Sequence, residues 1–302
     1  MEELIPDYNS SRFVISEKHE ELLERKIISK NLSTGRVALD LGGGYGRLTG
    51  ILLDRYKYVV LIDYSINNLE RAMKVLDRER TVFLHADIRN PPIMDGSVDF
   101  ILSLRVMHHY SNLGFLGFIS RKLRKDGMFL FNVNNISSPL FAFHMIKSVI
   151  TGKGIRLNML KQGVQEVSDD SGNRNIFFLN YRHILGFVPS DCRVERVIGS
   201  GMFHNSLIET KSDFLNIERL TNTEILISNA FKNAWFFPDV FMLLRKEGLT
   251  PDQEANGPLD AISCIKCGSH LKQENDEVVC AGCGNVYGSE GDIIDMVSRE
   301  NR

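Results

Sequence analysis

Residues 37–46 read VALDLGGGYG: an apolar run, an acid at Asp40, and then glycine at every second position. An apolar run that ends in a turn is typical of a buried parallel strand. Glycine permits positive φ and lets the backbone approach a ligand without a Cβ in the way. The sequence therefore predicts a strand that ends near Asp40 and a ligand-facing turn through Gly42, Gly44 and Gly46.

The spacing of these glycines excludes two common phosphate-binding loops. A G-x-G-x-x-G fingerprint started at Gly42 would need glycine at position 47, where Arg47 stands, and one started at Gly44 meets Thr49. The G-K-[ST] end of a P-loop is also missing from this stretch. The motif D-x-G-x-G-x-G that remains resembles the first motif of class I S-adenosylmethionine-dependent methyltransferases.

The next apolar run, Tyr58–Asp63, also ends in an acid, 23 residues after Asp40. In a doubly wound sheet an acid at the tip of the second strand can accept hydrogen bonds from both hydroxyls of a ribose. We assign that role to Asp63, with Tyr64 beside it. The alternative is a helix cap, a role that Ser65 could take instead.

A third run ends in Ala86-Asp87-Ile88, and a fourth in Ser103-Leu104. In the methyltransferases that this chain resembles, the Ala-Asp-Ile step lies against the adenine. The resemblance therefore implies that the Asp87 carboxylate lies near the exocyclic amine and that Ile88 packs against the ring. It also places Leu104 at the cofactor, in a run whose approach resembles the family's D-x-S-F-D step.

Two vicinal histidines, His108 and His109, follow the fourth strand. The resembling family often carries such a pair over the methionine end of the cofactor. One interpretation makes them a base or a substrate-positioning group near the transferred methyl. The other is packing and backbone hydrogen bonding at a strand–helix turn, and the sequence leaves both open.

These runs predict an α/β fold: a doubly wound, Rossmann-like sheet of seven strands, the last of which, 239–246, is antiparallel. An amphipathic helix from Ser16, with that residue as its cap, precedes the sheet and acts as a cover or as a lid over the ligand. An irregular stretch, 134–180, and the residues after it are expected to shape the substrate pocket. Their polar candidates are Arg156, Lys161, Tyr181, Arg182 and His183.

Four of the five cysteines lie in two C-x-x-C pairs near the C-terminus: Cys264, Cys267, Cys280 and Cys283. Two such pairs, each followed by glycine, predict one structural Zn²⁺ held by four thiolates. The tail after them resembles the Trm112-like zinc-ribbon family, without that family's two prolines. We therefore divide the chain into a methyltransferase domain (1–248), a Pro/Gly-rich linker (249–258) and a zinc ribbon (259–302).

Composition limits the class of protein. With 43% hydrophobic and 25% charged residues the chain is an ordinary globular one, and its lack of a long apolar run predicts no membrane span and a cytoplasmic location. The net charge of −2 is uneven, because residues 251–302 hold ten acids and four bases. The remaining +4 is well below the charge expected of a protein that mainly grips nucleic acid.

The predicted function is methyl transfer from S-adenosyl-L-methionine, because the sulfonium already activates the methyl group and the protein has to align the acceptor. A small-molecule acceptor is favoured, such as a sugar, lipid precursor or metabolite, with the ribbon packed on the methyltransferase domain or docking a partner. The alternative is tRNA, because Ser103–Tyr110 resembles the corresponding run of wobble-uridine methyltransferases and free Trm112-like proteins activate tRNA methyltransferases. A non-catalytic cofactor-binding scaffold is a further alternative.

Overall fold

A computed structural model describes residues 14–140, 142–143, 164–168, 175–203, 216–231, 234–248, 257–274, 277–290 and 292–297. Arg156 and Lys161, two of the polar candidates for the substrate pocket, lie outside these residues. Within the described part of the chain, no helix has both the length and the apolar character that crossing a membrane requires.

The chain alternates strands and helices through its first half and ends in short strands. The strands are β1 (Gly35–Leu41), β2 (Tyr56–Asp63), β3 (Thr81–His85), β4 (Val98–Ser103), β5 (Leu123–Asn134), β6 (Val164–Ser168), β7 (Asn175–Leu179), β8 (Cys192–Ser200), β9 (Asp239–Lys246), β10 (Leu271–Glu274), β11 (Glu277–Cys280), β12 (Val286–Tyr287), β13 (Ser289–Glu290) and β14 (Ile293–Asp295). The α-helices are α1 (Val14–Asn31), α2 (Thr49–Leu53), α3 (Ile66–Met73), α4 (Leu116–Ser120), α5 (Tyr181–Gly186) and α6 (Ile217–Ala230).

The main sheet has the strand order β13-β14-β3-β2-β1-β4-β5-β9-β8. Strands β14, β3, β2, β1, β4 and β5 run parallel, whereas β9 is antiparallel to both of its neighbours. The central strand β1 pairs Asp40 with Leu61 on one side and with Leu102 on the other. The carboxyl ends of the parallel strands, where ligands bind in such sheets, therefore meet at one edge of the molecule.

The predicted seven strands are present in the order β3-β2-β1-β4-β5-β9-β8, with the last one antiparallel as expected. The prediction of a seven-stranded sheet was nevertheless wrong, because the sheet has nine strands. The two extra strands, β13 and β14, belong to the C-terminal segment that we had assigned wholly to the ribbon. They join because β3 would otherwise be an open edge with unpaired backbone groups.

Both faces of the sheet are buried, as near-continuous apolar strands require. Helix α1 packs Leu23, Ile27 and Ile28 on one face, together with α2. The other face packs against α4, α5 and the C-terminal segment. Ser16 lies inside α1 and does not cap it, because the helix begins at Val14. The helix covers the sheet as expected.

The C-terminal segment, residues 257–297, contacts β3 and the loop after it on two sides. On one side the Ser263 N–H donates to the Pro92 carbonyl at 2.9 Å and the Met94 N–H donates to Ala261 at 2.8 Å. On the other side β14 pairs with β3, and the Met296 N–H donates to the carbonyl of His85 at 2.9 Å. The loop that carries Asp87 and Ile88 is therefore held between them.

The predicted apolar contacts of the tail, Ile293, Ile294 and Met296, are all buried against the main sheet. Strands β10, β11 and β12 form a separate three-stranded antiparallel sheet around the cysteines. The C-terminal segment thus has two parts. Strands β10, β11 and β12 form a small sheet of their own, and strands β13 and β14 extend the main sheet.

Candidate functional site

The glycine turn lies at the carboxyl end of β1. Gly42 has φ +70° and Gly44 has φ +57°, which are left-handed values that favour glycine. A Cβ on Gly42 would stand 2.4 Å from Val106 Cγ2, so this position requires glycine for packing against the segment after β4. A Cβ on Gly44 would meet as its nearest described atom Asn68 Nδ2, 3.8 Å away. The turn therefore leaves open space at Gly44 for a ligand.

Asp40 lies beneath this turn and is almost fully buried. Its Oδ2 accepts a hydrogen bond from Thr49 Oγ1 at 2.7 Å. Burial raises the pKa of Asp40 to about 6, against the partial compensation of that hydrogen bond. Gly46, which packs with φ +81° near Leu76, ends the turn. These two residues shape the turn from inside the protein.

Asp63 ends β2 beside the turn. Its Oδ2 accepts the Gly44 N–H and its Oδ1 accepts the Ser65 N–H, both at 2.9 Å. Burial raises the pKa of Asp63. Ser65, the alternative helix cap, does cap α3, since its Oγ accepts the Asn68 N–H at 3.3 Å. The Asn68 side chain also hydrogen-bonds to this carboxylate, whose two oxygens offer about four acceptor positions in all, so the carboxylate keeps acceptor capacity for a ligand.

Asp87 lies in the loop after β3 and is paired by a residue that the sequence analysis missed. Arg89 Nε lies 2.9 Å from Asp87 Oδ2, and Arg89 Nη2 lies 2.5 Å from the same oxygen. Burial raises the pKa of Asp87, but the hydrogen bonds from Arg89 outweigh it and the pKa is lowered. Ile88 is buried, whereas the Tyr64 side chain is 52% exposed.

His85, the last residue of β3, joins this strand to the C-terminal strand β14. Its Nδ1 lies 2.8 Å from Asp295 Oδ1, and its Nε2 lies 3.0 Å from the carbonyl oxygen of Tyr64. The rings of Tyr64 and His85 are 5.6 Å apart. A carboxylate and a carbonyl oxygen both accept, so whichever ring nitrogen carries a proton has an acceptor within hydrogen-bond distance. Sequence analysis missed this link, because it did not predict that β14 lies beside β3.

The two vicinal histidines lie in a short 3₁₀ turn, Met107–His109, after β4. Their rings are 4.2 Å apart, with His108 half-buried and His109 exposed. Burial, reinforced by the charges of His109 and Arg105, lowers the pKa of His108 to about 3. His108 is therefore neutral over the physiological range and a weak base. Leu104, at the end of the same strand, is buried.

The remaining polar candidates open helix α5. Tyr181 is partly buried, which raises its pKa, and its N–H donates to Ser137 Oγ at 3.2 Å. Arg182 is exposed, and the His183 ring packs edge-on against Phe187 at 4.8 Å. In the part of the chain that the structure describes, no hydrogen bond or ion pair joins these three side chains to Asp63 or to the glycine turn.

The four cysteines form a cluster that fits one metal ion. The Sγ atoms of Cys264, Cys267, Cys280 and Cys283 all lie within 4.8 Å of one another. Two of the edges measure 3.7 Å (264 to 283) and 3.4 Å (267 to 280), against about 3.8 Å for thiolates at the corners of a zinc tetrahedron. Tyr287 donates its hydroxyl to Cys264 Sγ at 2.9 Å, which supports a thiolate there.

Part of the sequence matches a known protein family. Residues 39–131 match the family described as "Methyltransferase domain". No curated protein matches the sequence.

Solved structures match over most of the chain. The "putative S-adenosylmethionine dependent methyltransferase from Listeria monocytogenes" is 13% identical, with a TM-score of 0.53, and the match covers 76% of this chain and 100% of that one. An S-adenosylmethionine-dependent methyltransferase from Mesorhizobium loti is 14% identical, with a TM-score of 0.51 and the same coverage. The chain thus matches a methyltransferase domain over residues 39–131, and its fold is that of S-adenosylmethionine-dependent methyltransferases.

Proposed function

We propose that this protein is an S-adenosylmethionine-dependent methyltransferase that acts on a small-molecule acceptor. The observation that carries the proposal is Asp63: a carboxylate at the end of β2, fixed by the N–H groups of Gly44 and Ser65, whose remaining acceptor positions lie between the Asn68 side chain and the ligand space. That arrangement suits the two hydroxyls of a ribose. The open space at Gly44 lies beside it.

The residues proposed to hold the cofactor come from the ends of the first four strands. They are Asp40, Gly42, Gly44, Gly46, Asp63, Tyr64, Asp87, Ile88 and Leu104. Asp87 can accept from the adenine amine only if it shares its oxygens with Arg89, which already binds the carboxylate. The exposed ring of Tyr64 and the buried side chain of Ile88 supply apolar contacts.

When bound, S-adenosylmethionine supplies an already activated methyl group. The chain therefore has to orient the acceptor and exclude water, and proximity accounts for most of the rate. Neutral His108 adds no positive charge beside a sulfonium, which is consistent with a positioning role at the methyl end. A base is needed only for a hydroxyl or a protonated amine, and exposed His109 is the candidate for it.

The four cysteines are proposed to hold a structural Zn²⁺ that stabilises the C-terminal segment. The separate β10–β12 sheet supports the division into a methyltransferase domain (1–248), a linker (249–258) and a ribbon (259–302), although β13 and β14 extend the main sheet. A unit of this size rarely holds a core without such a metal.

The charge distribution supports a small acceptor over tRNA. Several exposed arginines are paired with carboxylates: Arg78 with Asp292, Arg89 with Asp87, and Arg193 with both Glu195 and Glu247. Residues 251–302, with their net charge of −6 from ten acids and four bases, oppose phosphate binding.

The cofactor assignment is tested by Asp63→Ala, with S-adenosylhomocysteine binding measured by calorimetry. Removing the ribose acceptor should weaken binding about ten- to a hundred-fold, since hydrogen bonds to charged groups are worth about 1.5–3 kcal/mol. Asp77→Ala is a matched control, because exposed Asp77 accepts the N–H of Glu79 just as Asp63 accepts that of Ser65. Equal binding by both variants would contradict the assignment.

The acceptor and the metal each have a direct test. Methyl-labelled cofactor, incubated with RNA and with small metabolites from the same extract, should label the metabolites; label in tRNA would reverse the choice.

Metal analysis should find about one zinc per chain, lost in Cys280→Ser and retained in Cys192→Ser, because Cys192 lies outside the cluster.

A further inference from the structure

A single buried carboxylate of α1 joins the two loops that border the proposed cofactor pocket. Glu24, which is 5% exposed, accepts a hydrogen bond at Oε1 from Arg105 Nε at 2.7 Å. Its Oε2 lies 2.7 Å from Arg47 Nη2 in an ion pair without the alignment of a hydrogen bond. Arg47 follows the glycine turn after β1, and Arg105 follows β4. One side chain thus contacts both loops.

Arg105 is held in an unusual backbone conformation. Its φ is +59°, which is uncommon for a residue with a side chain. Its N–H donates to Asn132 Oδ1 at 2.7 Å, and Glu20, one helical turn before Glu24, adds an ion pair at 3.2 Å. Such a conformation persists only where the surroundings fix it. These contacts of Arg105 therefore set the path of the chain just before Val106.

The path of the chain at Val106 matters to the glycine turn. Val106 Cγ2 occupies the space that a Cβ on Gly42 would need, so the two loops touch there. From the α1 side, Arg25 Nη2 donates to the Arg47 carbonyl at 2.9 Å, next to the Glu24 contact. The distance between the two loops thus depends on two sets of contacts. One is the contact of Val106 with Gly42, and the other is the set of contacts that α1 makes with Arg47 and Arg105.

We propose that Glu24 is a positioning residue for cofactor binding, which fixes the glycine turn relative to the loop after β4. This inference rests on the proposed function. Without the carboxylate, the Arg47 guanidinium would lose its ion pair with Glu24 and Arg105 would keep only Glu20, so the contact that joins the two loops would be lost. Binding would then have to order both loops, and affinity would fall.

The proposed role is separable from the covering role of α1. Leu23, Ile27 and Ile28 pack the helix on the sheet, and His19 ties it to α6 through Glu224 at 2.8 Å and Thr221 at 2.9 Å. Replacing Glu24 by glutamine keeps the size of the side chain and leaves these contacts intact. Loss of packing therefore does not account for an effect on binding.

The experiment compares Glu24→Gln with Glu218→Gln by calorimetric titration with S-adenosylhomocysteine. Glu218 lies on α6, is 73% exposed, and pairs with Lys26 of α1 at 3.7 Å. We expect binding at least about tenfold weaker in Glu24→Gln and within about twofold of wild type in Glu218→Gln. Circular dichroism without cofactor should show the wild-type fold in both.

Arg105→Gln breaks the same pair from the loop side and must weaken binding similarly, which provides the test if Glu24→Gln unfolds. The double variant should bind S-adenosylhomocysteine no less tightly than the single variant with the lower affinity, because the effects of two residues that act through one contact do not add. A folded Glu24→Gln that binds like wild type would overturn the positioning role alone. A wild-type protein that does not bind S-adenosylhomocysteine would overturn the proposed function as well.

Discussion

The two edges of the main sheet are protected by different means. At one edge β3 is closed by the chain itself, because β14 pairs with it in parallel and β13 follows. At the other edge β8 is exposed over Arg193–Arg196 and carries charges of both signs. Charges on an edge strand discourage pairing with another molecule. The chain therefore uses its own tail at one edge and charge at the other.

The difference follows the position of the site. Strand β3 leads into the loop that carries Asp87, and all five of its residues are buried. Its open edge would be apolar and would lie next to this loop, which is the proposed cofactor loop. Strand β8 lies at the far end of the strand order, beyond β5 and β9. A tail that covers the first edge can thus also fix the loop, whereas a covering at the second edge would have no such effect.

The largest expected effect comes from deleting residues 257–302. Deletion removes the buried side chains of Ile262, Ile294 and Met296 from the core and reopens β3. Loss of several large buried side chains costs several kcal/mol, so we expect the melting temperature to fall by about 10 °C or more, with aggregation. Differential scanning calorimetry and size-exclusion chromatography measure both.

A deletion variant that stays monomeric and as stable as the full chain would contradict the comparison, because the tail would then not protect the edge. If that stable variant also bound cofactor normally but no longer methylated tRNA, the acceptor would be tRNA. In that case the ribbon would contact RNA and would not stabilise the sheet.

The variant Asp40→Asn tests how much a buried charge in the central strand, away from both edges, lowers the free energy of unfolding. Its folded pKa is raised from 3.8 to about 6, so ionisation is penalised in the folded state. Its contribution to stability is therefore present below about pH 3.8 and lost as pH rises through about 6. We expect Asp40→Asn to gain on wild type by about 2 kcal/mol between pH 4 and pH 8. Urea unfolding at several pH values measures this difference, and a pH-independent difference would contradict it.

Much of the central sheet could be predicted from sequence, because the signals there are local. Apolar runs that end in Asp40 and Asp63 mark buried strands, and alternating glycines mark the turn between β1 and α2. The pairing of β14 with β3 joins residues about 210 positions apart, and no local sequence pattern predicts it. The contacts of Glu24 with Arg47 and Arg105 are not predicted by a local pattern either, because they depend on how α1 packs against the loops after β1 and β4.

Asp295→Asn tests whether the link at the closed edge stabilises the protein. Asp295 pairs with His85, whose side chain is 8% exposed, so the Asn substitution replaces the charged acceptor of a buried imidazole with a neutral amide. We expect a loss of about 1–2 kcal/mol in urea unfolding. Asp292→Asn is the control, because Asp292 pairs with Arg78 on the surface, where such pairs contribute little. Equal effects of the two variants would show that the His85 link is not special.

Glu195→Gln, at the charged edge, should have the smallest effect. Glu195 accepts from Arg193 at 3.0 Å and from Arg245 at 3.1 Å, and these hydrogen bonds lower its pKa. Water and salt screen such exposed pairs, so we expect urea unfolding to change by about 0.5 kcal/mol or less. S-adenosylhomocysteine affinity should not change, because β8 lies at the opposite end of the sheet from the cofactor loop. A change in affinity on replacing Glu195 would mean that both edges influence the site, and the contrast between them would then fail.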